Sequence, residues 1–167
     1  MPLIHILLYE APADDPFWIN HIVKNYDPPY SHIDVQFENN MASSVYQNET
    51  VYFRQRRFKK PGYKRITLSV DQAGYNRAYT LCQTRANEGY QFDFYGMYSL
   101  PFPSAVLFDR DKKTFCSKHV AEVLQTAGVR AMGAVVPREM TPSAVYRALE
   151  GLSIYHADVD VVARLRI

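Results

Sequence analysis

Residues 29–40, PYSHIDVQFENN, alternate in a way that leaves the chain few choices. Ile33, Val35 and Phe37 fall on one side of an extended segment, and His32, Asp34 and Gln36 fall on the other. Successive side chains of a strand point to opposite faces, so this segment needs a sheet with an apolar face to cover. Asn39-Asn40 then reads as a hairpin turn, because asparagine tolerates positive φ. LIHILLY (3–9) precedes it as a strand, and 41–47 and 51–58 continue an antiparallel meander. Residues 64–70, with Ile66, Leu68 and Val70 alternating, add another strand.

The helical patterns between these strands supply the cover. Residues 14–26 predict a helix with Asp15 as N-cap, Pro16 at the first helical position, and Trp18, Ile19, Ile22, Val23 and Tyr26 as its buried stripe. Asp71 caps a long helix whose face carries Tyr75, Ala78, Cys82 and Ala86 before Gly89 ends it. Residues 114–128 form a third, with Val120, Val123, Leu124 and Ala127 on one side and Gly128 as its stop. Thr141-Pro142 opens a last short helix ending at Gly151, and VDVVARLRI (159–167) reads as a closing strand. The chain has 167 residues, 47% of them hydrophobic, and no repeat or linker divides it, so the expectation is one α+β domain over 1–167.

Composition narrows the chemistry. Two cysteines, Cys82 and Cys116, are too few for a disulfide scaffold or a four-thiolate zinc module. The first residues, MPLIHILLYEAPADDPF, lack a basic leader and a small-residue cleavage site, and no stretch approaches the ~20 apolar residues of a membrane span. A cytoplasmic or intracellular protein, virion-associated in one version, is therefore expected, with no signal peptide. Arg54, Arg56, Arg57, Lys59, Lys60, Lys64 and Arg65 crowd twelve residues without an acid. Removing those seven from 19 basic residues leaves 12 against 17 acids, so the basic character is local. Arg54, Arg56, Arg57, Lys59 and Lys60 are read chiefly as a solvated strand end and loop, and otherwise as a contact for an anionic surface, lipid or nucleic acid. The aromatic-rich segment 90–108 either walls the core beneath the cysteine helix or, through Tyr95, Tyr98 and Phe102, lines an acyl or peptide groove.

Cys116 stands in the first turn of its helix, where unpaired N–H groups and the helix dipole stabilise a thiolate. Cys82, on an apolar helix face, reads as an inert small hydrophobe. His32 lies on the polar side of its strand, so its imidazole is not a core filler and can act on a thiol as a base. A base of this kind is oriented through its other ring nitrogen, and Ser43 and Ser44 on the neighbouring strand are the candidates. Asp34 shares the face of His32 but sits two residues along the same strand, an awkward partner for the ring. Cys116 and His119 are three apart on one helix, yet the scattered remaining histidines give no four-ligand zinc site, and His119 is placed at solvent or the cleft rim. No metal or organic cofactor is expected, and no G-x-S-x-G elbow, P-loop or dinucleotide fingerprint is present.

These pieces resemble the circularly permuted papain-like proteins of the NlpC-type superfamily, whose members include YiiX-like hydrolases, lecithin retinol acyltransferase and proteins of bacteria and double-stranded DNA viruses. Pro29-Tyr30-Ser31-His32-Ile33-Asp34-Val35 is similar to the family's SHV strand, and Phe115-Cys116-Ser117-Lys118-His119-Val120-Ala121 to its FCSE-hydrophobic helix. Between them, Tyr90-Gln91-Phe92-Asp93-Phe94-Tyr95-Gly96 is similar to the aromatic-Asp-aromatic-x-Gly segment. Met140-Thr141-Pro142-Ser143-Ala144-Val145-Tyr146 is similar to the terminal S/T-P-x-x-hydrophobic-Tyr helix. Histidine precedes cysteine by 84 positions, the order of the permuted branch.

The resemblance implies a permuted papain-like fold, an antiparallel sheet packed on helices, with Cys116 as nucleophile and His32 as general base. It implies a thiol hydrolase or acyltransferase on a peptide, isopeptide or lipid ester, most simply a cysteine peptidase or amidase. Relatives often carry Glu, His or Gln on the strand after the histidine strand, where this chain offers Ser43 and Ser44. A serine accepts from imidazole but does not stabilise imidazolium as a carboxylate does. The alternative is therefore a weak or inactive papain-like module that binds or builds a virion.

Overall fold

In the computed structural model, residues 1–59, 61–98 and 111–150 are described with their side chains and 155–158 by backbone. The helix predicted to end at Gly151, the strand predicted over 159–167, Phe102 and Lys60 therefore reach or lie outside the described residues. The fold is α+β. Strands β1 (Leu3–Tyr9), β2 (His32–Phe37), β3 (Met41–Ser44), β4 (Tyr52–Gln55), β5 (Tyr63–Ser69) and β8 (Tyr155–Asp158) form one antiparallel sheet in the order β4-β3-β2-β1-β5-β8. The hairpin turn falls at Asn40, whose φ is 62°. A small parallel pair, β6 (Gln91–Phe92) and β7 (Lys113–Thr114), lies apart from it.

Register puts Ile33 opposite Leu8, Val35 opposite Ile6 and Phe37 opposite Ile4, while Ile6 and Ile4 meet Ile66 and Leu68 across β1. That apolar face joins one core with the helices α2 (Gln72–Asn87), α4 (Cys116–Thr126) and α5 (Pro142–Leu149) through Ala78, Val120, Leu124 and Val145. Asp71 caps α2 as its sequence predicts, accepting the Gly74 N–H at 2.5 Å. At Gly74 the start of α2 also packs tightly on the end of α4, since a Cβ there would run into the Ala127 carbonyl. Thr141 caps α5 by accepting the Ala144 N–H at 3.0 Å.

On the opposite face of the sheet β2 is covered as well. All six residues of β2 are buried, including His32, Asp34 and Gln36. Leu7, Ala42, Tyr52, Phe58 and Tyr63 make a second apolar cluster there, with Tyr9 and Tyr46 packed against it. Four of the thirteen tyrosines, Tyr9, Tyr46, Tyr52 and Tyr63, belong to this second layer, which encloses the polar residues of β2.

The first helix departs furthest from expectation. α1 is Trp18–Tyr26, capped at Phe17 and not at Asp15. The Asp15 carboxylate instead accepts the Phe17 N–H at 2.9 Å, the Asn20 amide at 3.1 Å and the Tyr9 hydroxyl at 2.8 Å, so it closes the turn ahead of the helix. Of the predicted stripe only Ile19 is buried; Trp18 is 54%, Ile22 41% and Tyr26 50% exposed. Ile19 packs with Met97 of α3 (Phe94–Tyr98) and with Phe115 in a small third cluster.

Candidate active site

Two of the motifs act as clamps that set the histidine strand and the cysteine helix in place. Ser143 Oγ donates to the Asp27 carbonyl at 2.7 Å and accepts the Tyr30 N–H at 3.0 Å, while Arg147 grips the Asp27 carboxylate at 3.0 and 2.9 Å. Thr141 Oγ1 donates to the same carboxylate. The start of α5 thus fixes the loop that delivers His32. Asp93 accepts the Gly96 N–H at 3.0 Å, and a Cβ on Gly96 would collide with that carboxylate, which explains the Asp and Gly of the aromatic segment physically. The Asp93 N–H in turn donates to the Thr114 carbonyl at 2.7 Å, two residues before Cys116.

Cys116 is the first residue of α4, a free thiol that is 7% exposed, and Phe115 before it supplies no capping side chain. It lines an apolar cavity of about 90 Å³ between α1, α3 and α5, with Ile22, Val23, Tyr26, Met97, Tyr98 and Pro142. Tyr98 lines this cavity, whereas Tyr95 is 72% exposed and does not.

His32 opens onto a second, larger cleft of about 530 Å³, with Tyr9, Asp15, Tyr46, Glu49, Arg54 and Tyr63 among its walls. Phe17, Ile19 and Asn20 at the start of α1 line this cleft, and Ile22, Val23 and Tyr26 further along the same helix line the cavity at Cys116. The imidazole is 5% exposed and stacks on Tyr46, ring centroids 4.2 Å apart and 16° from parallel. Among the described residues His32 and Cys116 share no hydrogen bond, but the sulfur is close enough for its charge to act on the ring. Burial opposes the imidazolium; Tyr46, Asp34 and Cys116 outweigh it and raise the His32 pKa well above 6.5.

The two serines separate. Ser44 Oγ lies 3.4 Å from His32 Nε2 and donates its proton to the Ile33 carbonyl at 2.7 Å, so toward the ring it is an acceptor. Ser43, the other candidate, points to the opposite face of β3 and meets His119 Nε2 at 2.9 Å. It does not touch His32. Asp34, set aside as awkward, has Oδ2 3.4 Å from His32 Nε2. Alternate residues on a strand are about 6.6 Å apart, and the long imidazole and the carboxylate close that gap between them. Asp34 is fully buried; its Oδ1 accepts from the Tyr52 hydroxyl and from Arg56 Nη1 at 3.3 Å. Arg56, read as part of a solvated basic run, is turned inward, whereas Arg54, Arg57 and Lys59 are exposed. No turn signal marks Asp34 or Arg56; the alternation that placed Asp34 beside His32 was the available cue.

Both neighbours of Nε2 are acceptors. The ring therefore carries its proton on Nε2 when neutral, and Nδ1, which has no hydrogen-bond partner among the described residues, keeps a lone pair.

His119 is not at the rim. It is fully buried behind the cysteine helix, between Ser43 and Arg85, whose Nη1 lies 3.2 Å from Nδ1 and which also pairs with Glu122 at 2.6 Å. Burial first, then Arg85, lower its pKa to about 3. Burial also pushes the Cys82 thiol up to about 12, in keeping with an inert core cysteine. The depressed His119 has a sign that can be worked out. Below pH 6.5 the unfolded chain binds a proton there and the folded chain does not, so stability falls as pH drops from 6.5 toward 3. Between pH 6.5 and 4.5 this one residue is worth about 2 kcal/mol. His5, lowered to about 4 mainly by burial, works in the same direction, and His32, raised, works in the opposite one. Urea unfolding at the two pH values is expected to show a loss of stability that shrinks by about 2 kcal/mol in His119→Gln. An identical loss in the variant contradicts the buried, neutral assignment.

Among the described residues no group of three His, Cys, Asp or Glu side chains is arranged to hold a metal ion, and no helix is long and apolar enough to cross a membrane. Comparison with protein-family models, curated proteins and solved structures finds no match to this chain.

Proposed function

We propose that the protein is a thiol hydrolase or acyltransferase of the permuted papain-like kind, working through a thioester on Cys116. The observation that carries this reading is the setting of His32. Two acceptors lie 3.4 Å from Nε2, Nδ1 keeps its lone pair, and the ring lies within charge range of a cysteine at a helix start. In the proposed reaction Nδ1 takes the proton of the Cys116 thiol, and Sγ attacks the carbonyl carbon of an amide or ester. The N–H of Cys116, which has no intrahelical partner, donates to the oxyanion. The C–N or C–O bond breaks as the imidazolium returns the proton to the leaving group. Water or another acceptor, deprotonated by Nδ1, then releases the acyl group. Asp34 supplies the carboxylate that the serines at the third position lack, and Ser44 supports the same nitrogen.

The cavity at Cys116 is apolar and the cleft at His32 carries charged and hydroxyl groups, which suits an apolar acyl part and a polar leaving group. Incubation with p-nitrophenyl acetate, butyrate and hexanoate tests the reading. An acyl adduct on Cys116 by intact mass is expected, forming faster with butyrate than with acetate, and absent in Cys116→Ala. Peptide, isopeptide and lipid-ester panels then identify the natural bond. Failure of every ester and amide to acylate Cys116 would leave the fold as a binding or structural module.

A further inference from the structure

We propose that Arg56 is a positioning residue that acts on His32 through Asp34. Its guanidinium occupies one oxygen of the carboxylate, so that the other is turned to the ring, and its charge keeps that carboxylate from binding the imidazolium too tightly. The proposal rests on the reading of His32 as the base.

The contacts are those of a fixed fork. Nη1 donates to the Tyr52 hydroxyl at 2.7 Å and to Asp34 Oδ1 at 3.3 Å, and Nη2 reaches the Tyr63 hydroxyl at 3.5 Å. The backbone is tied down as well: the Arg56 N–H donates to the Asn40 carbonyl at 3.0 Å, and its carbonyl accepts from Gln36 at 2.9 Å. Asp34 Oδ1 is thus doubly engaged, while Oδ2 is buried with no hydrogen bond and has His32 Nε2 as its neighbour at 3.4 Å. A second route runs through aromatic rings, because the guanidinium lies 5.3 Å from the centre of the Tyr46 ring that stacks on the imidazole. A fork that binds two oxygens and packs on ring faces is a task for arginine, which lysine performs only as a point charge.

In charge, the row runs Arg56 positive, Asp34 negative, His32, Cys116. Without the guanidinium the imidazolium is the cation left, among the described residues, for the buried carboxylate to pair with, and the ring becomes harder to deprotonate. The other groups facing His32 are the Tyr46 hydroxyl and the Cys116 thiol. Tyr9, Asp15, Glu49, Arg54 and Tyr63 share its cleft, and none of them bonds to the ring.

The test is the titration of His32 followed by NMR of its imidazole, assigned with His32→Ala, which requires no substrate and no reactive thiol. Arg56→Gln is expected to raise the midpoint by about one pH unit. Arg56→Lys, which keeps the charge, is expected to raise it by less than half as much, and Arg57→Gln, an exposed neighbour, to leave it unchanged. Should the glutamine variant not fold, the lysine variant decides by the presence of its smaller upward shift. A midpoint that is unmoved or lowered in the folded Arg56 variants, or moved equally by Arg57→Gln, overturns the proposal. Because the midpoint is read without catalysis, absence of acylation in the wild type would sink the enzyme reading and leave this result separate.

Discussion

Replacing His32 by alanine is expected to slow acylation of Cys116 by about 10²–10⁴-fold, the range a positioned general base contributes. The expectation follows from the nitrogen left free. Ser44 and Asp34 both address Nε2, so Nδ1 is the atom able to take the thiol proton and return it to the leaving group. Alanine removes it while leaving Cys116, the start of α4 and the apolar cavity in place, so the remaining rate reports binding and the helix start alone. Free imidazole added to the variant is expected to recover part of the lost rate, because the vacated space faces a cleft of about 530 Å³. Single-turnover acylation measured with and without imidazole checks this. A variant as fast as the wild type would show that His32 is not the base.

Asp34 gives the second large effect, and two substitutions divide its roles. Asp34→Ala leaves the Tyr52 hydroxyl and the Arg56 guanidinium without their buried acceptor, and is expected to cost about 3 kcal/mol of stability, the low end for breaking such a pair because Arg56 is 26% exposed. Asp34→Asn retains an oxygen for both donors and is expected to cost about 1 kcal/mol. Its amide NH₂, however, then faces Nε2, where a carboxylate oxygen stood. The ring answers by moving its proton to Nδ1, and the lone pair meant for the thiol is lost. A fall in acylation approaching 10⁴-fold is expected from such a wrong tautomer. Denaturant unfolding together with acylation rates separates the two: a nearly stable, nearly inactive asparagine variant is the outcome expected. An asparagine variant of wild-type activity would remove Asp34 from the mechanism.

What was legible beforehand follows a physical line. Local patterns carried β1 to β5, the Asp71 and Thr141 caps, the Asn40 turn and the cysteine at a helix start, because each depends on neighbours in sequence, whereas β6, β7 and β8 carried no such signal. Pairings across the sheet were read less well. Ser43 and Ser44 were equivalent candidates until β3 met β2 in register, with Val35 opposite Ser43, which sends Ser43 to the helix side and Ser44 to the histidine. Asp34 and Arg56 looked like a polar strand face and a solvated basic run. They became buried partners because a second layer of tyrosines covers that face. His119 was misplaced for the same reason in mirror image: a histidine on a helix is buried when Ser43 and Arg85 wait to satisfy both ring nitrogens. The stripe of α1 has the periodicity of a buried face, yet Trp18, Ile22 and Tyr26 are half exposed, the last two at the cavity beside Cys116. Periodicity reports an apolar face, not what covers it.

The proposed partnership of Cys116 with His32 is open to one measurement, the rate of alkylation of Cys116 by iodoacetamide between pH 5 and 9, in the wild type and in His32→Ala. Cys82 does not interfere, being fully buried with its thiol pushed up to about 12. At pH 6 the wild-type thiol is expected to react at least about tenfold faster than a free cysteine, whose thiolate forms near pH 8.5. In His32→Ala that advantage at low pH is expected to disappear. A Cys116 that reacts no faster than a model thiol, or whose pH profile is the same with and without His32, contradicts the account.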